Sequence, residues 1–408
     1  MPRIWFTPVL IAAALLGWGL AQWPNGDFLA PVMALARSLF LDGLKLIIAP
    51  LIFFSLISGI LSLRGAVDVR RLGTTTLIYY LATTGIAIAI GLTVVTFIHP
   101  WTAYPPLEGD FVSSASINML SDRDASTSAV LLGLVDRMLT NPFQALADLN
   151  ILGIVTNALL FGIAGLLVLP ENSPVTTGVH QVTEIIYRIA SWFVMLAPIG
   201  ILGITYSLAQ SLETNVLTQL LVFCAVVFGA TVVHGALVLP LIAWRFGGIS
   251  PRALFPAISQ PLIVALTTSS SAATLPVSMQ AAERRLNVRR STASFVLPLG
   301  ATINMDGTAL FEGVAAVFLA YLFGVELTTV GLLVVFFVSM VSAIGAPGIP
   351  SGSMAGMQMV LISVGIPLEA IGLLLLVERP LDTFRTAVNV EGDLIACTVA
   401  ERQLREAV

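Results

Sequence analysis

Residues 251–282 read PRALFPAISQPLIVALTTSSSAATLPVSMQAA. An apolar helical pattern is interrupted by five hydroxylated residues, Thr267-Thr268-Ser269-Ser270-Ser271, and then resumes. Arginines stand at both ends, Arg245 before it and Arg252 at its start, and Arg284, Arg285, Arg289 and Arg290 after it. Arginine collects at the cytoplasmic ends of membrane spans, so this segment is expected to enter and leave the bilayer by one face. A second segment, 329–364, is interrupted at Gly345-Ala346-Pro347-Gly348-Ile349-Pro350-Ser351-Gly352-Ser353. It lies between an outward-ending helix and a final helix that finishes inside, so parity makes it enter from the opposite face. Irregular backbone at membrane depth is tolerated only where it is buried in protein or lines a cavity. Paired Gly/Pro-interrupted segments are the sequence pointer to a transport site. The competing reading is two ordinary spans with proline kinks.

The composition requires a bilayer. Of 408 residues, 57% are hydrophobic and 10% charged, against about 25% charged in soluble domains, and the mean hydropathy is +0.95. At roughly 20 apolar residues per helix, spans are expected near 4–22, 39–63, 74–98, 143–169, 180–209 and 215–244, with a broken helix at 290–322 and an amphipathic one at 368–400. The first span follows Arg3 and imitates a signal peptide, but its length and the spans after it favour a retained helix. Arg64, Arg70, Arg71, Arg402 and Arg405 fit the cytoplasm if the N-terminus is inside. The loop bearing Glu108, Asp110, Asp122, Arg123 and Asp124 would face outside. Cys224 and Cys397 sit in apolar runs, and His99, His180 and His234 form no metal-ligand pattern. The net charge of −4 without a basic tract gives no nucleic-acid signal.

The final helix carries Glu378, Asp382, Arg385, Thr386, Asn389 and Asp393. At about 100° per residue all six share one stripe roughly 100° wide, opposite a mostly apolar face on which Glu391 is an exception. A charge at mid-bilayer costs at least ~2.5 kcal/mol, so the four charges must pair with one another, with water or with a ligand. The guanidinium fork of Arg385 suits a carboxylate, Asp382 offers an anion for an ammonium, and Asp393 is a hard oxygen ligand for a cation. Asn304-Met305-Asp306-Gly307-Thr308 opens a helix inside a span, so freed carbonyls and a carboxylate suit a small monovalent cation. Ser269-Ser270-Ser271 can hold a carboxylate at a hairpin tip, aided by the helix that follows. Glu312, an isolated membrane glutamate, is a functional candidate by default and a candidate proton carrier. Each constellation also has a structural reading: a salt-bridge stripe, a turn, a polar linker, an arginine partner.

At these residues the chain resembles the dicarboxylate/amino-acid:cation symporter family of glutamate and aspartate transporters. The resemblance rests on LKLIIAPLIFFS from Leu44, Tyr79-Tyr80-Leu81-Ala82-Thr83-Thr84, Asn141-Pro142-Phe143, SSSAATLP from Ser269, PLGATINMDGTALFEG from Pro298, AIGAPGIP from Ala343 and DTFRTAVNVEGD from Asp382. It implies an all-α membrane protein with eight transmembrane helices and two opposed re-entrant helical hairpins, assembled as a trimer that works as an elevator. Residues 1–72 and 141–212 would form the scaffold. Residues 73–140 (helix 3 and an outer loop) and 213–408 would form the moving transport domain. Arg385 and Thr308 would hold a substrate side-chain carboxylate, Asp382 and Thr386 the amino group, and Ser271 and Asn389 the α-carboxylate, with Ser270, Ile349 and Ser353 also lining the substrate. Gly300, Asn304, Asn389 and Asp393 would form one Na+ site. Thr302, Ala343, Ile344 and Ala346 would supply carbonyls to another, and Tyr80, Thr83, Thr84, Asn304 and Asp306 would form a third. The second hairpin would be the outer gate. Departures from the family's pattern are Ser269 and Thr383, where different members carry an arginine, Glu378 in place of the usual aspartate, and Glu312, which matches the mammalian rather than the archaeal members.

The expectation is a secondary symporter, not an enzyme, for L-glutamate or L-aspartate. It would be driven by Na+ and/or H+, without an organic cofactor, as a multi-pass homotrimer contacting lipid in the plasma (inner) membrane. A C4-dicarboxylate would leave Asp382 without a role, and a neutral amino acid would leave Arg385 without one. An anion channel would not need a paired ammonium and carboxylate site. An intramembrane hydrolase using Ser270 or Asp382 lacks a nearby base or second aspartate.

Overall fold

The computed structural model describes residues 6–23, 26–61, 70–98, 101–102, 135–136, 138–170, 172–211, 215–345 and 353–405. Among them every regular element is helical. In chain order these are α1 (Phe6–Ala21), α2 (Ala30–Leu61), α3 (Arg70–Phe97), α4 (Pro142–Ala147), α5 (Ile151–Val168), α6 (Pro174–Met195), α7 (Ala197–Ser211), α8 (Asn215–Val233), α9 (Leu239–Ile242), α10 (Pro251–Thr268), α11 (Ser271–Arg284), α12 (Arg290–Ile303), α13 (Asp306–Leu322), α14 (Thr329–Gly345), α15 (Ser353–Ser363) and α16 (Ile371–Arg405). Leu72–Phe97, Thr218–Gly247 and Arg290–Leu322 are long and apolar enough to cross a membrane, and shorter apolar helices accompany them. The expected second-tip residues Ala346 and Ile349 lie outside the described residues, as do Arg64 and the acidic loop from Glu108 to Asp124.

Two packing neighbourhoods emerge. In one, α2 lies against α5, α6 and α7, and α1 lies along α7. In the other, α16 is surrounded by α10, α11, α12, α13, α3 and α8, while α13 also packs on α3 and α14. The two meet where α2 touches α14 and α15 and where α7 touches α16. Arg290–Leu322 lies almost wholly inside protein.

Two expected single spans are divided. The 143–169 stretch breaks after α4, where Leu149 adopts φ 51°, and Asn150 restarts the chain by accepting the Gly153 amide (3.3 Å). The sequence signal is short: Asp148 and Asn150 enclose a single leucine, and apolar residues resume on both sides. The 180–209 stretch begins earlier, at Pro174, and turns at Leu196 before Pro198. Pro198 has no N–H to donate to the carbonyl four residues back, at Val194, so the α6 helix cannot continue through it. The expected interruptions within residues 267–271 and 304–308 are present; most of the one at 345–353 lies outside the described residues. α10 ends at Ser269 in left-handed geometry (φ 49°), and Ser270 caps α11 by accepting the Ala273 amide at 3.2 Å. α12 and α13 are separated by Asn304 and Met305, both outside helical geometry.

Candidate functional site

α16 presents its polar stripe to the middle of the protein. Arg385 is fully buried, as are Glu378 and Asp382 to within a few per cent. Arg385 Nη2 donates to Glu378 Oε1 (3.0 Å) and Asp382 Oδ1 (3.2 Å), and its guanidinium carbon stands 4.0 Å from the centroid of the Phe311 ring, a cation–π contact worth about 0.5–2 kcal/mol. Ser353 Oγ approaches the same Glu378 oxygen (3.4 Å), and Arg379 Nη1 lies 3.6 Å from Asp382 Oδ2. Nε and Nη1 of Arg385 have no hydrogen-bond acceptor among the described residues. Buried donors without partners cost about 1–3 kcal/mol each, more when charged, so this arginine has capacity for an acceptor that the protein does not supply.

The unwound turn between α12 and α13 faces the same stripe one step further along. Asn389 Oδ1 accepts the Gly307 amide (2.8 Å) and Asn389 Nδ2 faces Thr308 Oγ1 (3.4 Å). Thr308 and Thr386 are buried beside them. Asn304 Nδ2 donates to Asp393 Oδ1 (3.0 Å), while Asn304 Oδ1 has no donor among the described residues. A Cβ at Gly300 would collide with Asp393 Oδ1 and come within 2.5 Å of the Tyr80 hydroxyl. Gly300 therefore lets these two oxygens converge. Asp306 Oδ1 accepts from Thr84 Oγ1 (2.7 Å) and Thr83 Oγ1 (3.3 Å), and its Oδ2 lies 3.1 Å from His234 Nε2. Oxygen-rich, carboxylate-containing sites of this kind suit hard cations.

The structure thus brings Glu378, Asp382, Arg385 and Ser353 together as one group, Thr308 and Asn389 as a second, and Gly300, Tyr80, Asn304 and Asp393 as a third. Thr83, Thr84 and Asp306 make a fourth. Ser270 and Ser271 are buried at the α10–α11 turn, on helices that pack against α16. Thr302 stands apart, with its side chain exposed and its hydroxyl on the Leu299 carbonyl (2.8 Å). Ala343 is buried and the Ile344 carbonyl faces Gly59 of α2. Glu312 is fully buried; its Oε1 accepts from Ser342 Oγ (3.0 Å), and its Oε2 has no partner among the described residues. Sequence reasoning missed Phe311, Ser342 and His234, whose roles depend on which helix lies opposite. It also left Glu391 unexplained. Glu391 is buried near Gly235, where an added Cβ would stand 3.3 Å from its Oε2.

Apolar helices that bury one arginine among carboxylates and bring oxygen ligands to an unwound span define a solute carrier of the membrane. Residues 6–403 match the sodium:dicarboxylate symporter family, and the chain belongs to that family, one of sodium-coupled amino acid transporters and not of enzymes. The chain is 31% identical to neutral amino acid transporter B(0) of Oryctolagus cuniculus, over 94% of this chain and 76% of that protein. It is 31% identical to excitatory amino acid transporter 2 of Homo sapiens, over 89% and 71%. It is 30% identical to a putative sodium-dependent excitatory amino acid transporter, glt-6, of Caenorhabditis elegans, over 96% and 78%.

Proposed function

We propose that this protein carries an acidic amino acid, L-aspartate or L-glutamate, across the plasma (inner) membrane together with Na+. The observation that carries the reading is Arg385: a fully buried guanidinium whose Nε and Nη1 donors are unmatched among the described residues, beside the buried carboxylate of Asp382. A substrate side-chain carboxylate supplies the missing acceptor, with Thr308 beside it, and Asp382 and Thr386 receive the ammonium. Asn389 and the Ser270–Ser271 turn receive the α-carboxylate, and Ser353 and Ile349 close the site. Na+ is carried at Asp393 with Asn304, Asn389 and Gly300, at Asp306 with Thr83, Thr84, Tyr80 and Asn304, and on carbonyls of Thr302, Ala343, Ile344 and Ala346. Glu312 carries a proton, supported by its burial and its unpaired Oε2; Glu378 is the second candidate.

The motion is an elevator in a homotrimer. Residues 1–72 and 141–212 are the scaffold; residues 73–140 and 213–408 are the part that moves, with the two hairpins re-entering from opposite faces. The packing of α2 with α5–α7, and of α16 with α3 and α8–α13, supports that division. One observation favours a second substrate class. Both Glu378 and Asp382 already bond Arg385 Nη2, so the guanidinium charge is compensated without a substrate carboxylate, as a neutral amino acid would require. Competition uptake separates the readings: unlabelled L-aspartate and L-glutamate should displace label, while succinate and alanine should not. Succinate matching L-aspartate, or alanine matching it, overturns the acidic amino-acid reading.

A further inference from the structure

We propose that His234 is a positioning residue for cation binding: its imidazole holds the outer oxygen of Asp306 so that the inner oxygen is presented to sodium. The inference deepens the assignment of Asp306 as a sodium ligand and rests on it. His234 and Asp306 are both fully buried, and Nε2 stands 3.1 Å from Oδ2. The other oxygen, Oδ1, faces the Thr83 and Thr84 hydroxyls, and the partnerless Asn304 Oδ1 belongs to the same turn. The two carboxylate oxygens are therefore divided between a ring nitrogen on one side and potential cation ligands on the other.

The local backbone is arranged for this contact. His234 opens a π turn, His234–Val238, that interrupts the helix after α8, and single π turns inside α-helices are frequent at functional sites. The next residue is Gly235. A Cβ there would stand 2.8 Å from Val388 Cγ2, so a side chain would push this helix away from α16. The absence of that side chain keeps the helix close enough for the imidazole to cross to Asp306 on α13. A carboxylate with two rotatable oxygens loses selectivity when either can swing into the ligand position. A fixed hydrogen bond to one oxygen removes that freedom, as it does for ligating carboxylates in metal sites generally. The role requires only a donor at Nε2.

Three variants in proteoliposomes test this, read as the sodium concentration for half-maximal uptake and as the thermal midpoint without sodium. His234→Phe keeps the ring shape and removes the donor; the half-saturating sodium concentration should rise about tenfold, the lower end of the range for loss of a second partner at a metal site. His234→Gln restores an amide donor and should return it to within about threefold of the parent. The substrate half-saturation at saturating sodium should stay unchanged in both. A purely structural histidine would lower the thermal midpoint in both variants and leave the sodium dependence alike, and that result overturns the proposal. An unchanged sodium dependence in His234→Phe also overturns it. Asp306→Asn separates the two levels. If it weakens sodium and His234→Phe does not, only the positioning role fails. If Asp306→Asn leaves sodium dependence untouched, the sodium assignment itself fails and the role of His234 falls with it.

Discussion

Arg385 shows how a charge is kept inside an apolar protein. Its partners Glu378 and Asp382 lie seven and three residues back on the same helix, so the helical repeat alone sets the pairing. Breaking such a buried group by removing one partner costs about 3–5 kcal/mol; Glu378→Ala should therefore lower the thermal midpoint by several degrees, measured by melting in detergent. Gly300 and Gly356 are tested in the same spirit. Gly300→Ala pushes a methyl group into Asp393 and the Tyr80 hydroxyl, and should raise the sodium concentration needed for uptake by an order of magnitude while substrate selectivity is kept. A Cβ at Gly356 collides with Ser342 Oγ and Glu312 Oε1. Gly356→Ala should thus abolish the pH dependence of uptake, whereas Gly178→Ala, which meets nothing within 4 Å, should leave it intact; pH-jump uptake assays decide. The stripe from Glu378 to Asp393 was legible because it repeats with the helix. The Ser342 and His234 contacts were not, because each joins residues on helices whose relative rotation no local pattern encodes.

Breaks and ends are set by short-range chemistry at the level of elements, and their legibility follows from it. The Ser269–Ser270 turn and the Asn304–Met305 turn were visible because small polar residues interrupt apolar runs. The division between α4 and α5 was not, because Asp148-Leu149-Asn150 is bracketed by leucine, alanine and isoleucine. At the far end of α16, beyond the expected span, Glu401 accepts from Arg289 Nε (2.8 Å), Thr292 Oγ1 (2.8 Å) and Arg405 Nε (2.9 Å), and ties α16 to the start of α12. Burial acts to raise the pKa of this carboxyl; the bonds from Thr292, Arg405 and the Arg289 amide, with the Arg289 charge, outweigh it and hold the pKa below the ordinary value. A depressed folded pKa adds stability above the unfolded pKa, near 4.3 for glutamate, and that stability is lost as pH falls through the folded value. The thermal midpoint should fall between about pH 5 and pH 3, and Glu401→Gln should lower the midpoint at pH 7 and flatten that part of the pH profile. A profile identical in the variant would show that Glu401 adds nothing.

The proposed scaffold and moving part meet where α2 touches α14 and α15. The site of a Cβ on Gly59 lies 3.0 Å from the Ile344 carbonyl and 3.7 Å from Ile344 Cγ2, so α2 and α14 are in direct contact at these positions. If the part around α16 slides past α2 in each cycle, oxidising a Gly59→Cys, Ile344→Cys double variant should stop uptake and a reductant should restore it. Uptake that persists in the cross-linked protein would show that α2 and α14 travel together. Family membership was readable from motifs spread between Leu44 and Asp393. The packing of α1 along α7 was not, because uniformly apolar helices give no sign of which neighbour each prefers. On the proposed reading these motions serve one chemical event, the meeting of a substrate carboxylate with Arg385 inside the protein. Sodium-gradient-driven uptake of labelled L-aspartate into proteoliposomes, parent against Arg385→Cys, tests that event most directly. The account predicts that the variant loses L-aspartate uptake by about 30-fold or more, the lower end of the roughly 2–5 kcal/mol expected for a truncated buried charge pair, while remaining folded. Undiminished L-aspartate uptake by the variant would contradict it.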